Sequence, residues 1–151
     1  RHQSGHNYKR ESLGKPRKER WGGRSMDYLH MALPISKVLE YRRRSEEILA
    51  GSGVRVTEYA IWSRPELYSM LVVPDVASDP SEAFRENLAA VVEEILVLAQ
   101  DMGGIMEYCH GVGIKLAHLL AREMGLGQRI VSDIKQVLDP YNIMNPGKLG
   151  L

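Results

Sequence analysis

The chain has 151 residues, 44% of them hydrophobic and 26% charged, with a formal net charge of +1. That is the profile of one globular domain with enough apolar material for a core. No apolar run reaches the roughly 18 residues that a membrane span needs, and no charged-then-apolar leader is visible. The single cysteine, Cys109, excludes an internal disulfide and a thiolate cluster and suits a reducing compartment, so a cytoplasmic setting is expected. The chain starts at Arg1 instead of Met, which reads as a fragment.

Residues 1–25 hold eight Lys and Arg against two acids, leaving the rest net acidic. They have few apolar residues, no periodicity and several breakers (Gly14, Pro16, Gly22, Gly23), so an irregular basic segment is expected. Its only aromatics, Tyr8 and Trp21, are too few for a base-stacking platform, and no nucleic-acid partner is expected. From Asp27 the character changes. Tyr28, Leu29, Met31, Ala32, Leu33 and Ile35 form a short apolar run that predicts a strand. Ser36 then reads as the N-cap of a helix carrying Val38, Leu39, Arg42, Ser45, Ile48 and Leu49, ended by Gly51 and Gly53. Arg42, Arg43 and Arg44 read as a solvated face of that helix, with one stem packed on the sheet.

Residues 54–61 and 67–73 are β-branched and aromatic runs joined by Ser63, Arg64 and Pro65, which predicts a hairpin. Asp79 as N-cap, Pro80 and Glu82 make a capping-box-like start for a long helix, with Phe84, Leu88, Val91, Val92, Ile95, Ala99 and Met102 on one face and Gly103 as its stop. Residues 105–109 read as a further strand. Two short amphipathic helices follow, one with Leu116, Leu119, Leu120 and Met124, the other with Ile130, Ile134, Val137 and Leu138 before Asp139-Pro140. The order strand, helix, two strands, helix, strand packs as an antiparallel sheet with helices on one face. This is the α+β, ferredoxin-like arrangement, here with an extended N-terminal arm and C-terminal helices and tail.

Chemistry-bearing residues concentrate in residues 103–115, where Glu107, Tyr108, Cys109 and His110 sit among glycines at a strand-to-helix junction. Glycines let backbone approach a ligand, and a histidine there can act as acid, base or hydrogen-bond partner. On its own His-Gly-Val-Gly is equally well a tight structural turn. The tail Asp139-Pro140-Tyr141-Asn142-Ile143-Met144-Asn145-Pro146-Gly147-Lys148 is on its own a C-terminal loop. Glu58, Tyr59 and Trp62 are pocket residues or core aromatics according to which face the strand presents, and His30 reads more readily as a core histidine.

Taken together and in this order, the Gly-Gly strand, the His-Gly-Val-Gly turn, the two helices closing on Asp-Pro and the Asn-Pro-Gly-Lys tail resemble the C-terminal domain of FAD-linked oxidases of the vanillyl-alcohol-oxidase type. That superfamily includes D-lactate, glycolate and D-2-hydroxyglutarate dehydrogenases and alkylglycerone-phosphate synthases. The resemblance implies a two-domain flavoenzyme. Residues 1–25 would come from the inter-domain junction, 26–139 form the ferredoxin-like cap over the substrate, and 140–151 return to a FAD-binding domain absent from this chain. It implies FAD as cofactor, a small hydroxylated substrate such as a 2-hydroxy acid, and hydride passing to the flavin. By itself the chain is expected to be inactive, and a homo-oligomer is compatible with this reading.

Metal-dependent members carry His-x-Gly-Asp-Gly-Asn-x-His on the middle strands and a Glu before the His-Gly turn. Here the middle stretch is Trp62-Ser63-Arg64-Pro65-Glu66-Leu67-Tyr68 and Cys109 stands in the Glu position, so no such metal is expected. A tyrosine on that strand with a histidine before Gly-x-Gly is more like the synthases, although Tyr108 and Cys109 replace the other histidines of that turn. The resemblance therefore assigns Tyr68 and His110 to catalysis and Arg1, Glu58, Trp62 and Cys109 to the substrate, with Gly111, Gly113, Asn145 and Lys148 on the cofactor side. Two alternatives remain: a synthase-like transferase cap, and a stand-alone ferredoxin-like ligand-binding module.

Overall fold

The computed structural model describes residues 26–75 and 82–151. Arg1, the basic segment and the Asp79-Pro80 helix start lie outside them. The described chain divides into two compact units, one running to Gly111 and the other from Val112 to Leu151.

The first unit is built on a three-stranded antiparallel sheet, β1 (Asp27–Ala32), β2 (Val54–Ile61) and β3 (Leu67–Pro74), in the order β1-β3-β2. The expected hairpin is β2 and β3, turned by Leu67 N–H donating to the Arg64 carbonyl at 3.0 Å. Register sets which side chains share a face. Leu29 pairs with Met70 and Met31 with Tyr68, and all four are buried. Tyr28, opposite Leu71, and His30, opposite Ser69, point to the other face, because successive strand residues alternate.

Two helices complete the first unit, α1 (Val38–Leu49) and α2 (Glu82–Asp101). Val38, Tyr41, Ser45 and Leu49 make the buried stripe of α1, whereas Leu39 and Arg42 of the expected stripe are exposed. Tyr41 fixes the layer: its hydroxyl donates to the Ile95 carbonyl of α2 at 3.0 Å, and its ring meets Tyr68 edge-on at 5.7 Å. Ser36 is not an N-cap. It lies inside a 3-10 turn, Ile35–Lys37, that leads into α1 without a side-chain cap. On the outer face Arg42 pairs with Glu46 and sets its guanidinium over the Tyr59 ring, 4.5 Å from the centroid, so this one arginine of three packs on the sheet as expected.

The expected strand at 105–109 shrinks to a bridge between Ile105 and Ala32 on the free edge of β1. Gly104 allows the approach, since a Cβ there would lie 2.6 Å from the Ala32 carbonyl and 3.0 Å from that of Ala99. The ladder stops because the pairing slips by one residue, with Tyr108 N–H reaching the His30 carbonyl at 3.1 Å, and because the chain then turns around Glu107. With the bridge included, the order is that of the ferredoxin-like arrangement, its fourth strand reduced to a contact.

The second unit contains the 3-10 turn Ala117–Leu119, α3 (Leu120–Met124) and α4 (Leu126–Leu138), in line with the two expected helices. Among the described residues no helix is long and apolar enough to cross a membrane.

Candidate functional site

On the sheet face opposite α1 and α2, Ser69 gathers three side chains. Its Oγ lies 2.8 Å from His30 Nδ1, accepts from Trp62 Nε1–H at 2.7 Å, and is 3.3 Å from the Tyr108 hydroxyl. His30 and Ser69 face each other across β1 and β3, so the first of these bonds follows directly from register. Trp62 reaches in from the end of β2, and Tyr108 from the segment along the β1 edge.

His30 is 3% exposed, and its Nε2 has no hydrogen-bond partner. Rings enclose it: Tyr28 at 4.5 Å, His110 at 4.6 Å in edge-on geometry, Tyr108 at 5.7 Å and Trp62 at 6.4 Å. Burial first of all holds its pKa below the ordinary imidazole value, with Glu107 opposing and His110 adding to the effect. The ring is therefore neutral near pH 7 and can accept or donate a proton. It is buried as the sequence suggested, but it is not a satisfied core histidine.

Cys109 and His110 are exposed on the turn beyond Tyr108. Glu107 shapes that turn: its Oε1 accepts from the backbone N–H of Cys109 at 2.7 Å and of His110 at 2.8 Å. Gly111 follows with φ 69°, a left-handed conformation that glycine adopts without strain. One ligand-type atom each from His30, Cys109 and His110 lies within 4.8 Å of the other two.

Glu58 stands on the same face, and its carboxylate accepts from the Tyr28 hydroxyl at 2.6 Å across β3. That bond, ahead of burial, pushes the Tyr28 pKa up to about 12, so Tyr28 keeps its proton at any physiological pH. Tyr68 is placed differently. It is 2% exposed on the helix-packed face between Tyr41 and Tyr59, and its hydroxyl lacks a partner. Glu58, Trp62, Cys109 and His110 thus share the face that holds His30, Gly111 follows them as the last residue of the same unit, and the sheet separates Tyr68 from that face.

Tyr28 and Ser69 were not singled out from the sequence, and Tyr108 was named there only as part of the stretch before the His-Gly turn. The alternation Tyr28-Leu29-His30-Met31 carried a usable signal, since two polar rings share one face and two aliphatics the other.

In the second unit, Gly113 and Lys148 come together. The Gly113 carbonyl accepts from Leu149 N–H at 3.3 Å, and a Cβ at Gly113 would lie 3.7 Å from Lys148 Nζ. Asn145, at φ 50°, opens the turn that brings Lys148 back, its carbonyl accepting from Lys148 N–H at 3.2 Å.

Residues 13–149 match the family model described as FAD linked oxidases, C-terminal domain. The chain is 30% identical over 126 residues to a D-lactate dehydrogenase of Archaeoglobus fulgidus, covering 82% of this chain and 26% of that one. It is 26% identical over 126 residues to a D-lactate dehydrogenase of Anaerostipes hadrus, with the same 82% and 26% coverage. To the mitochondrial D-lactate dehydrogenase (cytochrome) of Arabidopsis thaliana it is 30% identical over 149 residues, covering 93% of this chain and 25% of that one. The chain spans about a quarter of the length of these relatives. It belongs to the family of C-terminal domains of FAD-linked oxidases.

Proposed function

We propose that the chain is the substrate-side cap of a FAD-dependent oxidoreductase that oxidises a 2-hydroxy acid or a similar small hydroxylated molecule, the flavin being held mainly by a separate domain. The observation that carries this reading is the exposed His110 ring set against the buried His30, whose Nε2 lacks a partner. Two imidazoles, a phenol and a thiol suit proton handling at a substrate oxygen, so the residues present fit the reacting side of a flavin site. FAD, when bound, supplies the acceptor for the hydride that leaves the substrate carbon. His110 takes the hydroxyl proton, giving the 2-oxo product. His30, oriented by Ser69, supports the His110 ring, and Glu107 fixes the backbone from which His110 projects. Cys109, Trp62 and Glu58 are proposed as substrate contacts, with Arg1 reaching a substrate carboxylate. Gly111, Gly113, Asn145 and Lys148 are assigned to the side facing the cofactor domain. Tyr68 has no part in proton transfer in this reading.

The test is steady-state turnover of a 2-hydroxy acid with a dye acceptor, using the full-length protein. His110→Ala should lower kcat by about 10²–10⁴-fold, the usual contribution of a positioned acid or base, and Tyr68→Phe should leave it unchanged. The 151-residue chain should be colourless and inactive. Retention of near-full kcat in His110→Ala removes the assigned base, and dye reduction by the isolated chain removes the two-domain account.

A further inference from the structure

We propose that His30, Cys109 and His110 form a binding site for a divalent transition metal, of which zinc suits the donor set best. None of the three lies on the middle strands, where the histidine motif of metal-dependent relatives would put two of its ligands. Trp62 and Ser69 flank that stretch here. The ligands come from β1 and from the turn at Cys109-His110, where Cys109 takes the place of the relatives' Glu and His30 and His110 replace the two strand histidines.

Four observations converge. The three ligand atoms already lie within 4.8 Å of one another. With bonds of about 2.0–2.3 Å to zinc, they need to close by roughly 1 Å, and two of the three belong to exposed side chains free to do so. The third ligand, His30, is buried, with Nδ1 committed to Ser69 and Nε2 without a partner, which leaves Nε2 as its coordinating nitrogen. The hydrogen bonds behind it supply what a metal-bound imidazole requires. Coordination at Nε2 puts the remaining ring proton on Nδ1, which donates to Ser69 Oγ. Ser69 still accepts from Trp62 and turns its own proton toward Tyr108. Finally, the Glu107 carboxylate pins both Cys109 and His110 N–H groups, fixing the turn that carries two ligands.

Two imidazoles and one thiolate select zinc or a similar borderline ion over magnesium or calcium, which prefer oxygen. On binding, the Cys109 thiol loses its proton to solvent and a sulfur–metal bond forms, with no change of oxidation state. Three protein ligands leave a fourth position for water or a substrate oxygen. The metal would occupy the lone pair that His110 needs as a base. The metal-bound and proton-accepting forms of the cluster are therefore mutually exclusive, and the site stands whether or not His110 serves in catalysis.

Cobalt is the probe. The reduced 151-residue chain is titrated with Co²⁺, with neither flavin nor substrate present, and followed by absorbance. The expected result is one equivalent bound, with a thiolate-to-cobalt charge-transfer band in the near ultraviolet and intense visible bands of a tetrahedral centre, both abolished by one equivalent of Zn²⁺. Cys109→Ser should remove the charge-transfer band, and His110→Ala should weaken binding at least 10-fold. Ser69→Ala, which removes the hydrogen bond behind His30 together with those to Trp62 and Tyr108, should weaken it by about 10–100-fold. Cys109 and His110 are exposed, so their variants should retain the metal-free thermal midpoint, checked by circular dichroism. Absence of the charge-transfer band in the unsubstituted chain overturns the proposal, as does cobalt affinity unaltered by both Cys109→Ser and His110→Ala.

Discussion

The Tyr68 hydroxyl is buried without a partner, and burial raises its pKa above that of an ordinary phenol. An unpaired buried hydroxyl opposes folding, so Tyr68→Phe should be neutral or stabilising by up to about 1 kcal/mol in urea unfolding of the 151-residue chain. Destabilisation by more than that would mean the hydroxyl has a partner in solution. The same strand explains why the sequence misplaces this residue. Along Leu67-Tyr68-Ser69-Met70-Leu71-Val72-Val73 both alternating sets are mainly apolar, so period two does not tell which set faces the helices. In β1 the two sets differ, Tyr28 and His30 against Leu29 and Met31, and there the face was legible. What no local pattern conveys is that His30 would meet a partner thirty-nine positions away on one nitrogen and none on the other.

Asp139 closes α4. Its Oδ1 accepts from Ile143 N–H at 2.9 Å, and its Oδ2 accepts from Met144 N–H at 2.9 Å and from Lys135 Nζ at 2.5 Å. Lys135 chiefly, with the two backbone N–H groups, holds the Asp139 carboxyl below the ordinary carboxylate range. Because its folded pKa is depressed, the stabilisation it provides is complete above the unfolded value of about 4 and is lost as pH falls through the lower folded value. Asp139→Asn should therefore lower the thermal midpoint at pH 7, and the gap to the unsubstituted chain should narrow below about pH 4. A gap that stays constant with pH would assign the effect to shape and not to charge. The sequence located the end of this helix, since a residue before proline leaves the helical region. The bonds made by Asp139 depend on how residues 140–144 fold back. The fourth strand shows the opposite case: Ile105 to Cys109 has strand composition, but Glu107 turns the backbone after one bridge.

The apolar face of α4 is exposed. Ile130 and Ile134 are each more than half accessible and Val137 is 80% accessible, and beyond the helix Tyr141 and Ile143 are exposed as well. Apolar side chains exposed along one helix face favour burial against another surface. The chain should accordingly self-associate in light scattering at high concentration. The double variant Ile130→Glu, Ile134→Glu should be monomeric under the same conditions, with stability within about 0.5 kcal/mol of the original, as befits surface positions. A large loss of stability would show that the face is already packed within the chain. Periodicity and turn residues by themselves determined the hairpin, the two C-terminal helices and the amphipathic character of α4, because these depend on neighbours a few positions apart. Motif order alone carried the family. The tertiary structure decided which face of β3 meets the helices, how far the fourth strand extends, and that His30, Cys109 and His110 converge while Tyr68 does not. Those outcomes depend on register and on pairings between distant segments, for which no local rule of spacing exists.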